Sequence, residues 1–536
     1  MCAQNPKRTP WFGLHAKCLL VGLAATFLLS QSGLAQQTDG REAKLPQHAL
    51  WRFSGQANND SNGIYRLQYS RDGKLLATRN RRNVVSVYSI TTRKLICEIN
   101  GHENNWVETI DFTPDSKHVV TAAGSSEKVK IWNSQTGELE SEIDTDASAA
   151  YFTESGTAIN VLGRSHVEVY SWPDLKLTSQ QKWKNGNESP AGMSKDGRLV
   201  VSLKKVNRQI YQTQVANLET KSRISLTGVA GIPKAVAISS NRVWIAASFN
   251  RDNKVRLWDL RDPQQKTYTL KRHDETVQSL AFSSDNRFLI SSGWDEKVVA
   301  WDLATRQPLG QFDGHTEHVN ATAFAPLDLA FASGASGTSD TSTIVWNLED
   351  VLRQYVTPNG DNKTFDQIWK GLGGNALDVS LDSAFRLIDG QHEFLDQLDK
   401  RTGDAESRRS KGTFETTIKL LEHPQWMIRE RTTEQLIQVR EKFDAELRLA
   451  LSRATSPEIR YRILKVINHE AIRRRSNFAE QRRWNRIIFA LELMNSPRSQ
   501  SILEKIANIN LDIDVAEDAR ASFRRNEQRN LLNASE

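Results

Sequence analysis

Cysteine is nearly missing from this chain, with three in 536 residues. Cys2 and Cys18 stand in the first 35 residues, which leaves Cys97 alone in the remainder. One thiol closes no internal disulfide, so the fold must be held by its core. Residues 94–99 (KLICEI) alternate in the manner of an outer strand, which suits a half-buried Cys97. Cys/His spacing suited to zinc is also missing, as are an EF-hand run, a phosphate-cradling glycine loop and a G-x-S-x-G elbow. No catalytic residue, metal ligand or cofactor is therefore assigned. A charge bias is lacking as well: 71 Lys+Arg against 64 Asp+Glu, mixed along the chain, call for no nucleic acid.

The N-terminus carries an apolar run, but a short one. Residues 18–29 (CLLVGLAATFLL) follow Lys7, Arg8 and Lys17 and precede Gly33-Leu34-Ala35. Twelve apolar residues fall short of the ~20 that span a bilayer. A basic segment, a short apolar run and a small-x-small motif together read as a cleaved signal peptide over residues 1–35, with an uncleaved N-terminal anchor as the alternative. Cleavage removes three basic and no acidic residues and lowers the net charge from +7 to +4. The mature chain is expected to be periplasmic or secreted, with no stable membrane insertion. Export also removes most contact with nucleic acid.

What is abundant is a repeated unit. Residues 36–47 read as a flexible polar leader, and residues 49–53 (ALWRF) as an isolated strand. In residues 274–315, two β-rich runs bracket the turn signal Ser283-Ser284-Asp285-Asn286. Trp294-Asp295-Glu296-Lys297 then turns the chain into a third strand, and Ala304-Thr305-Arg306-Gln307 into a fourth. Aligned on Trp301, the unit recurs at Tyr88, Trp132, Tyr170, weakly near Ala216, at Trp258 and at Trp346, with spacings of 44, 38, 46, 42, 43 and 45. One four-stranded sheet cannot bury both its faces, whereas copies stacked around an axis can. The last repeat has three strands before helical pattern begins, so residues 49–53 are placed to supply its fourth.

Trp258-Asp259 and Trp301-Asp302 are literal WD pairs, with Trp132-Asn133 and Trp346-Asn347 as variants. Gly101-His102 and Gly314-His315 supply a GH element, and the hairpin turn recurs as SRDGK (70–74), TPDSK (113–117), SKDGR (194–198) and SSDNR (283–287). On these motifs residues 48–350 resemble a WD40 β-propeller, with seven blades as the best count. That resemblance implies a structural tetrad of His, Ser/Thr, Asp and Trp within a blade. The full set matches at His273, Ser291, Asp295 and Trp301. The fifth repeat keeps Ser248, Asp252 and Trp258 without a His; the seventh keeps His315, Asp340 and Trp346, with its Ser obscured around Gly334–Gly337; the second has Ser126 where Asp is expected. A His–Ser–Asp set invites a catalytic reading, but a Trp partner and a position crossing three strands favour a buried network that fixes sheet register.

After Leu348 the apolar period changes from 2 to 3.6. Residues 351–363 read as a linker, 364–518 as an all-α region and 519–536 as a polar tail, with a loop over 401–412. Residues 423–436 (HPQWMIRERTTEQL) and 456–467 (SPEIRYRILKVI) resemble HEAT units. The arrangement as a whole resembles exported bacterial proteins, frequent in planctomycetes, that append such helices to a WD40 propeller.

The expected function is that of a non-enzymatic exported scaffold binding a protein or peptide. Candidate contact residues are Trp106, before a strand, and Trp294, in a tight turn where a small polar residue is usual; Arg79, Arg81 and Arg82 join them in an exposed turn. Two alternatives remain: a propeller hydrolase or cofactor-dependent enzyme using the central channel, and a binder of anionic polymer through Arg475, Arg482 and Arg486 on one helix face between Arg473 and Arg486.

Overall fold

The computed structural model describes residues 45–54, 63–102, 105–124, 128–153, 155–184, 188–206, 211–219, 221–226, 231–260, 266–356, 363–407, 411–454, 456–467, 478–508 and 513–535. The expected signal segment, Ser126 and Arg473–Arg475 lie outside them. Twenty-eight strands form seven four-stranded antiparallel sheets among the described residues. In order these are blade 1 (64–99), blade 2 (109–143), blade 3 (149–182), blade 4 (188–225), blade 5 (233–271), blade 6 (277–312) and blade 7 (319–347 with 49–54).

A buried hydroxyl builds the first turn of nearly every blade. Ser70 donates to Asp72 at 2.6 Å and accepts from the Leu75 backbone at 2.8 Å; Ser194 does the same with Asp196 and Leu199, and Ser239 with Asn241 and Trp244. Ser283, Thr113 and Thr153 hold the equivalent bond to the strand that follows. Each turn then needs one residue at positive φ: Gly73, Ser116, Gly156, Gly197, Arg242 and Asn286 lie between 58° and 73°. Four of these turns are legible as D-G-, D-S- or D-N-type signals. The turn at residues 153–157 (TESGT) keeps the hydroxyl and the left-handed position without an acidic or amide residue at its third place, and that at 239–243 (SSNRV) has Asn241 in place of Asp.

The cores lie between blades, because each sheet must cover both faces. Leu75, Val87 and Cys97 of blade 1 meet Ile110, Phe112 and Trp132 of blade 2, and similar clusters fill each following gap. Trp51, Ile64, Leu67 and Tyr69 meet Ala321, Ala332 and Val345 between blades 7 and 1. Cys97 is buried more fully than expected, its thiol lying 3.3 Å from the Ser134 carbonyl and pushed up to about 11, chiefly by burial.

Closure uses both ends of the repeat region. The strand Ala49–Ser54 pairs antiparallel with Ser342–Asn347, setting Trp51 opposite Val345 and Ser54 opposite Ser342. Arg52 bonds to Ser342 at 2.9 Å and to Asp340 at 3.0 Å, while Phe53 packs on Tyr88 of blade 1 at 4.5 Å. One strand thus ties the last blade to the first and removes an open edge.

Helices follow at Leu348–Arg353, Phe365–Leu372, Leu377–Asp389, Gln391–Ser407, Lys411–Leu420, Trp426–Arg453, Pro457–Ile467, Phe478–Met494, Pro497–Asn508 and Ile513–Ser535. Thr364 and Gln367 form a capping box at the second. Two expectations are corrected. Residues 401–407 continue a helix instead of forming a loop. The expected polar tail is the helix Ile513–Ser535, whose Val515, Ala516, Ala519, Ser522, Arg525 and Asn526 are buried. Residues 426–453 bend at Phe443, which leaves helical backbone angles (φ −130°). No helix among the described residues is long and apolar enough to cross a membrane.

The core between blades 6 and 7 continues into these helices: Phe288, Phe312, Phe331 and Trp346 share one cluster with Leu381, Phe385, Ile487, Phe489 and Leu503. A smaller core of Phe414, Leu421, Leu436, Leu447, Ile463 and Val466 holds residues 411–467 together.

Candidate interaction face

Strand order fixes two ends of the ring. The links between blades and the turns between second and third strands share the upper face, and the remaining turns share the lower one. Contacts of the helical region are to the lower side of blades 6 and 7. Glu492 accepts from Arg287 of blade 6 at 2.9 Å, from Arg525 at 2.7 Å and from Ser522 at 2.8 Å, with Arg529 at 3.3 Å. Burial opposes ionisation of Glu492, and the arginine charges outweigh it, so its carboxyl lies well below the usual range. Arg486, 1% exposed, pairs with Asp302 of blade 6 at 2.8 Å and donates to Ser380 at 2.9 Å. Arg482 donates to the carbonyls of Gly373 and Gly374. These two arginines therefore do not present an anion-binding face to solvent: their side of the helix Phe478–Met494 is turned inward. Arg475 falls outside the described residues.

His273, Ser291, Asp295 and Trp301 form one hydrogen-bonded chain. The His273 ring bonds to Ser291 at 2.8 Å and to Asp295 at 3.0 Å, and the Trp301 indole donates to Ser291 at 2.8 Å. Burial works to raise the Asp295 carboxyl, but His273 and two backbone N–H groups hold it below its ordinary value. The Ser291 hydroxyl, fully buried between His and Trp, has no open side for a substrate. Blade 7 holds a second complete set that the sequence reading missed: His315 to Ser333 at 2.7 Å, His315 to Asp340 at 2.9 Å and Trp346 to Ser333 at 2.7 Å. Ser333 follows His315 by 18 residues, as Ser291 follows His273, so counting forward from the His would have found it. The insertion lies after the Ser, which defeats counting back from the Trp. Blade 2 keeps His102, Thr121 and Trp132 in the same arrangement at 2.8 Å each. In blade 5 Trp258 instead donates to Thr267 at 3.0 Å.

The two tryptophans picked from the sequence lie on the upper face. Trp106 is 48% exposed and meets Tyr65 of blade 1 edge-on at 5.5 Å. Trp294 is 38% exposed and tilts onto His318 at the start of blade 7, 5.3 Å away. Each covers part of a neighbouring blade and leaves the rest of its ring to solvent. Arg81 and Arg82 are exposed as expected, but Arg79 is not. It is the penultimate residue of the strand Leu75–Asn80, at 1% exposure, its guanidinium 4.8 Å from the Trp106 ring and 5.5 Å from Tyr65.

At the lower end of the channel, side chains reach between blades that are not neighbours. Lys195 of blade 4 meets Asp111 of blade 2 at 2.9 Å, and Arg71 of blade 1 donates to the Phe152 carbonyl of blade 3 at 2.6 Å. Burial, then Asp111, push the nearby Tyr151 phenol up to about 12, away from the range of a working acid or base. Among the described residues no three His, Cys, Asp or Glu side chains gather as a metal site would require.

Comparison with known proteins agrees with this architecture. The WD domain, G-beta repeat family matches residues 93–133, 222–259, 264–302 and 306–347. Each match runs from the outer strand of one blade through the third strand of the next, the offset that makes a closing strand necessary. The chain is 23% identical to the WD repeat-containing protein WDS homolog of Arabidopsis thaliana over 303 residues, covering 53% of this chain and 55% of that protein. It is 25% identical to the protein transport protein SEC31 of Kluyveromyces lactis over 320 residues, covering 58% and 24%. With Protein FIZZY-RELATED 1 of Arabidopsis thaliana it shares 33% identity over 113 residues, covering 21% and 23%. The chain spans about half or less of the length of these relatives. Motifs, sheet order and relatives converge: the chain carries WD40 repeats that close into a seven-bladed β-propeller, followed by a C-terminal helical region.

Proposed function

We propose that this chain is an exported, non-enzymatic scaffold that holds a protein or peptide on the upper face of its propeller and offers its HEAT-like helices as a second surface. One observation carries the reading. The helical region takes the lower side of blades 6 and 7, while the upper face keeps Trp106 and Trp294 half exposed and also carries the exposed Arg81 and Arg82. Aromatic residues with nearby arginines are the composition of interface hot spots. The relatives are named for WD repeats or, in one case, as a protein transport protein, which supports a role in handling other proteins. The arrangement is that of exported planctomycete-type WD40 proteins, and its partner is a protein, not a nucleic acid or a membrane. Affinity capture with the mature chain from periplasmic extract tests this. A partner lost with Trp106→Ala or Trp294→Ala supports the face; partners bound equally by both variants remove it, and no saturable partner at all removes the scaffold reading. Mass spectrometry of the exported chain tests cleavage after Ala35.

A further inference from the structure

The register of blade 1 sets two arginines directly opposite each other, Arg66 on the inner strand and Arg79 on the next. Like charges opposed across an antiparallel pair repel. Arg66 has an answer: it pairs with Glu108 of blade 2 and donates to the Glu108 carbonyl at 2.9 Å. Arg79 has none. Among the described residues its Nε and Nη1 are buried without a hydrogen-bond partner, and its flanks are the rings of Tyr65 and Trp106. Burial, then the Arg66 charge, lower its pKa to about 10, against smaller opposing effects of Glu108 and Tyr65. A desolvated, unbonded guanidinium is costly, and aromatic faces return only part of that cost. Trp106 is half exposed over this pair, and the next turn carries Arg81 and Arg82.

We propose that this socket, bounded by Tyr65, Arg66, Arg79, Trp106 and Glu108, takes a carboxylate side chain from an acidic segment of a partner protein. The proposal rests on the scaffold reading and names the chemistry of its partner. A carboxylate matches the planar fork of an arginine and supplies the acceptors that Arg79 lacks. Arg66 and Arg79 against Glu108 leave one net positive charge, which a single carboxylate balances and a dianionic phosphate exceeds. Trp106 would cover an apolar neighbour in the same segment, and Arg81 and Arg82 would meet further acidic residues.

The test uses the full chain and a fluorescein-labelled peptide of alternating glutamate and leucine, with a glutamine–leucine peptide as control. The glutamate peptide is expected to bind at least about tenfold more tightly than the control and to weaken as salt rises. Arg79→Met should cost about tenfold or more, and Trp106→Ala, at an exposed site, severalfold. Because an unbonded buried charge is removed, Arg79→Met should keep or raise the melting temperature, whereas an arginine with a purely structural role would lower it. Equal binding of the two peptides, unchanged binding by Arg79→Met and Trp106→Ala, or no saturable binding below about 1 mM overturns the proposal. Tighter, Arg79-dependent binding of oligodeoxythymidine overturns it in favour of nucleic acid. Partners captured from extract that survive Arg79→Met leave the scaffold standing and the socket refuted; absence of any captured partner refutes the scaffold instead.

Discussion

Replacing Glu492 with Gln is expected to loosen the helical region from the propeller while leaving the ring intact. Glu492 meets Arg287, Arg525 and Arg529 together, and its side chain is 4% exposed. Arg287 keeps Asp285 at 2.9 Å after the change, so the loss falls mainly on Arg525, which retains Ser522 at 2.9 Å. Breaking one side of a buried ion pair costs about 3–5 kcal/mol. The remaining partners favour the lower end, about 3 kcal/mol, or roughly two orders of magnitude in the equilibrium between docked and undocked helices. Hydrogen exchange reads this directly. Amides of the helices Phe478–Met494 and Ile513–Ser535 should exchange about a hundredfold faster, and those of blade 3 should not change. Removing the opposing charge as well, in a Glu492→Leu/Arg525→Met double variant, should restore much of the protection, since an apolar pair of similar volume is often neutral. A change below about threefold in Glu492→Gln, or a double variant worse than the single, would refute the reasoning.

Acid should act on the same node. A carboxyl held below its ordinary value contributes stability above the unfolded pKa of about 4.3, and that contribution is lost as pH falls from there toward the folded value. Protection of the two helices should therefore decline below about pH 5, and Glu492→Gln should blunt this dependence. Trp51→Ala in the closing strand removes a buried indole and its contact with Phe53, at an expected cost of about 3–5 kcal/mol, measured by urea denaturation; a cost below about 1 kcal/mol would mean that the ring closes without it. Ser333→Ala and Ser291→Ala each strand a buried His and a buried indole, so each should cost about 1–3 kcal/mol and by similar amounts, and a neutral Ser333→Ala would show that blade 7 does not use its tetrad.

Much of the propeller was legible because its rules are local. A hydroxyl at Ser70, Ser194 or Ser283, an acidic or amide group two residues on and a left-handed residue after that define a turn within five positions. The repeats of blades 3 and 4 are the fainter ones, because Tyr170 and Ala216 stand at the tryptophan's place. Ser333 escaped because an insertion shifted it against Trp346 while its spacing from His315 was unchanged. Arg79 read as a turn residue exposed with Arg81 and Arg82, yet it is the last inward position of its strand, one place before the chain turns. Residues 519–536 read as a tail because, past Ala519, the buried side of the helix Ile513–Ser535 is Ser522, Arg525 and Asn526, a polar surface that only a matching charge makes worth burying.

The sequence by itself determined the four-stranded repeat, its turns, the need for stacked copies and the shift to helices after Leu348, since each follows from side-chain period and turn chemistry over a few residues. Only the tertiary structure decided which surfaces those elements cover. Arg486 belongs to the inside and Arg482 is tied to the Gly373 and Gly374 carbonyls, Trp106 remains at the surface over a buried Arg79, and Arg287 finds Glu492 across 205 residues of chain. A periodic pattern tells which residues share a face; it carries no information about the distant element that face will meet, and the sign of a charge's contribution depends on that element.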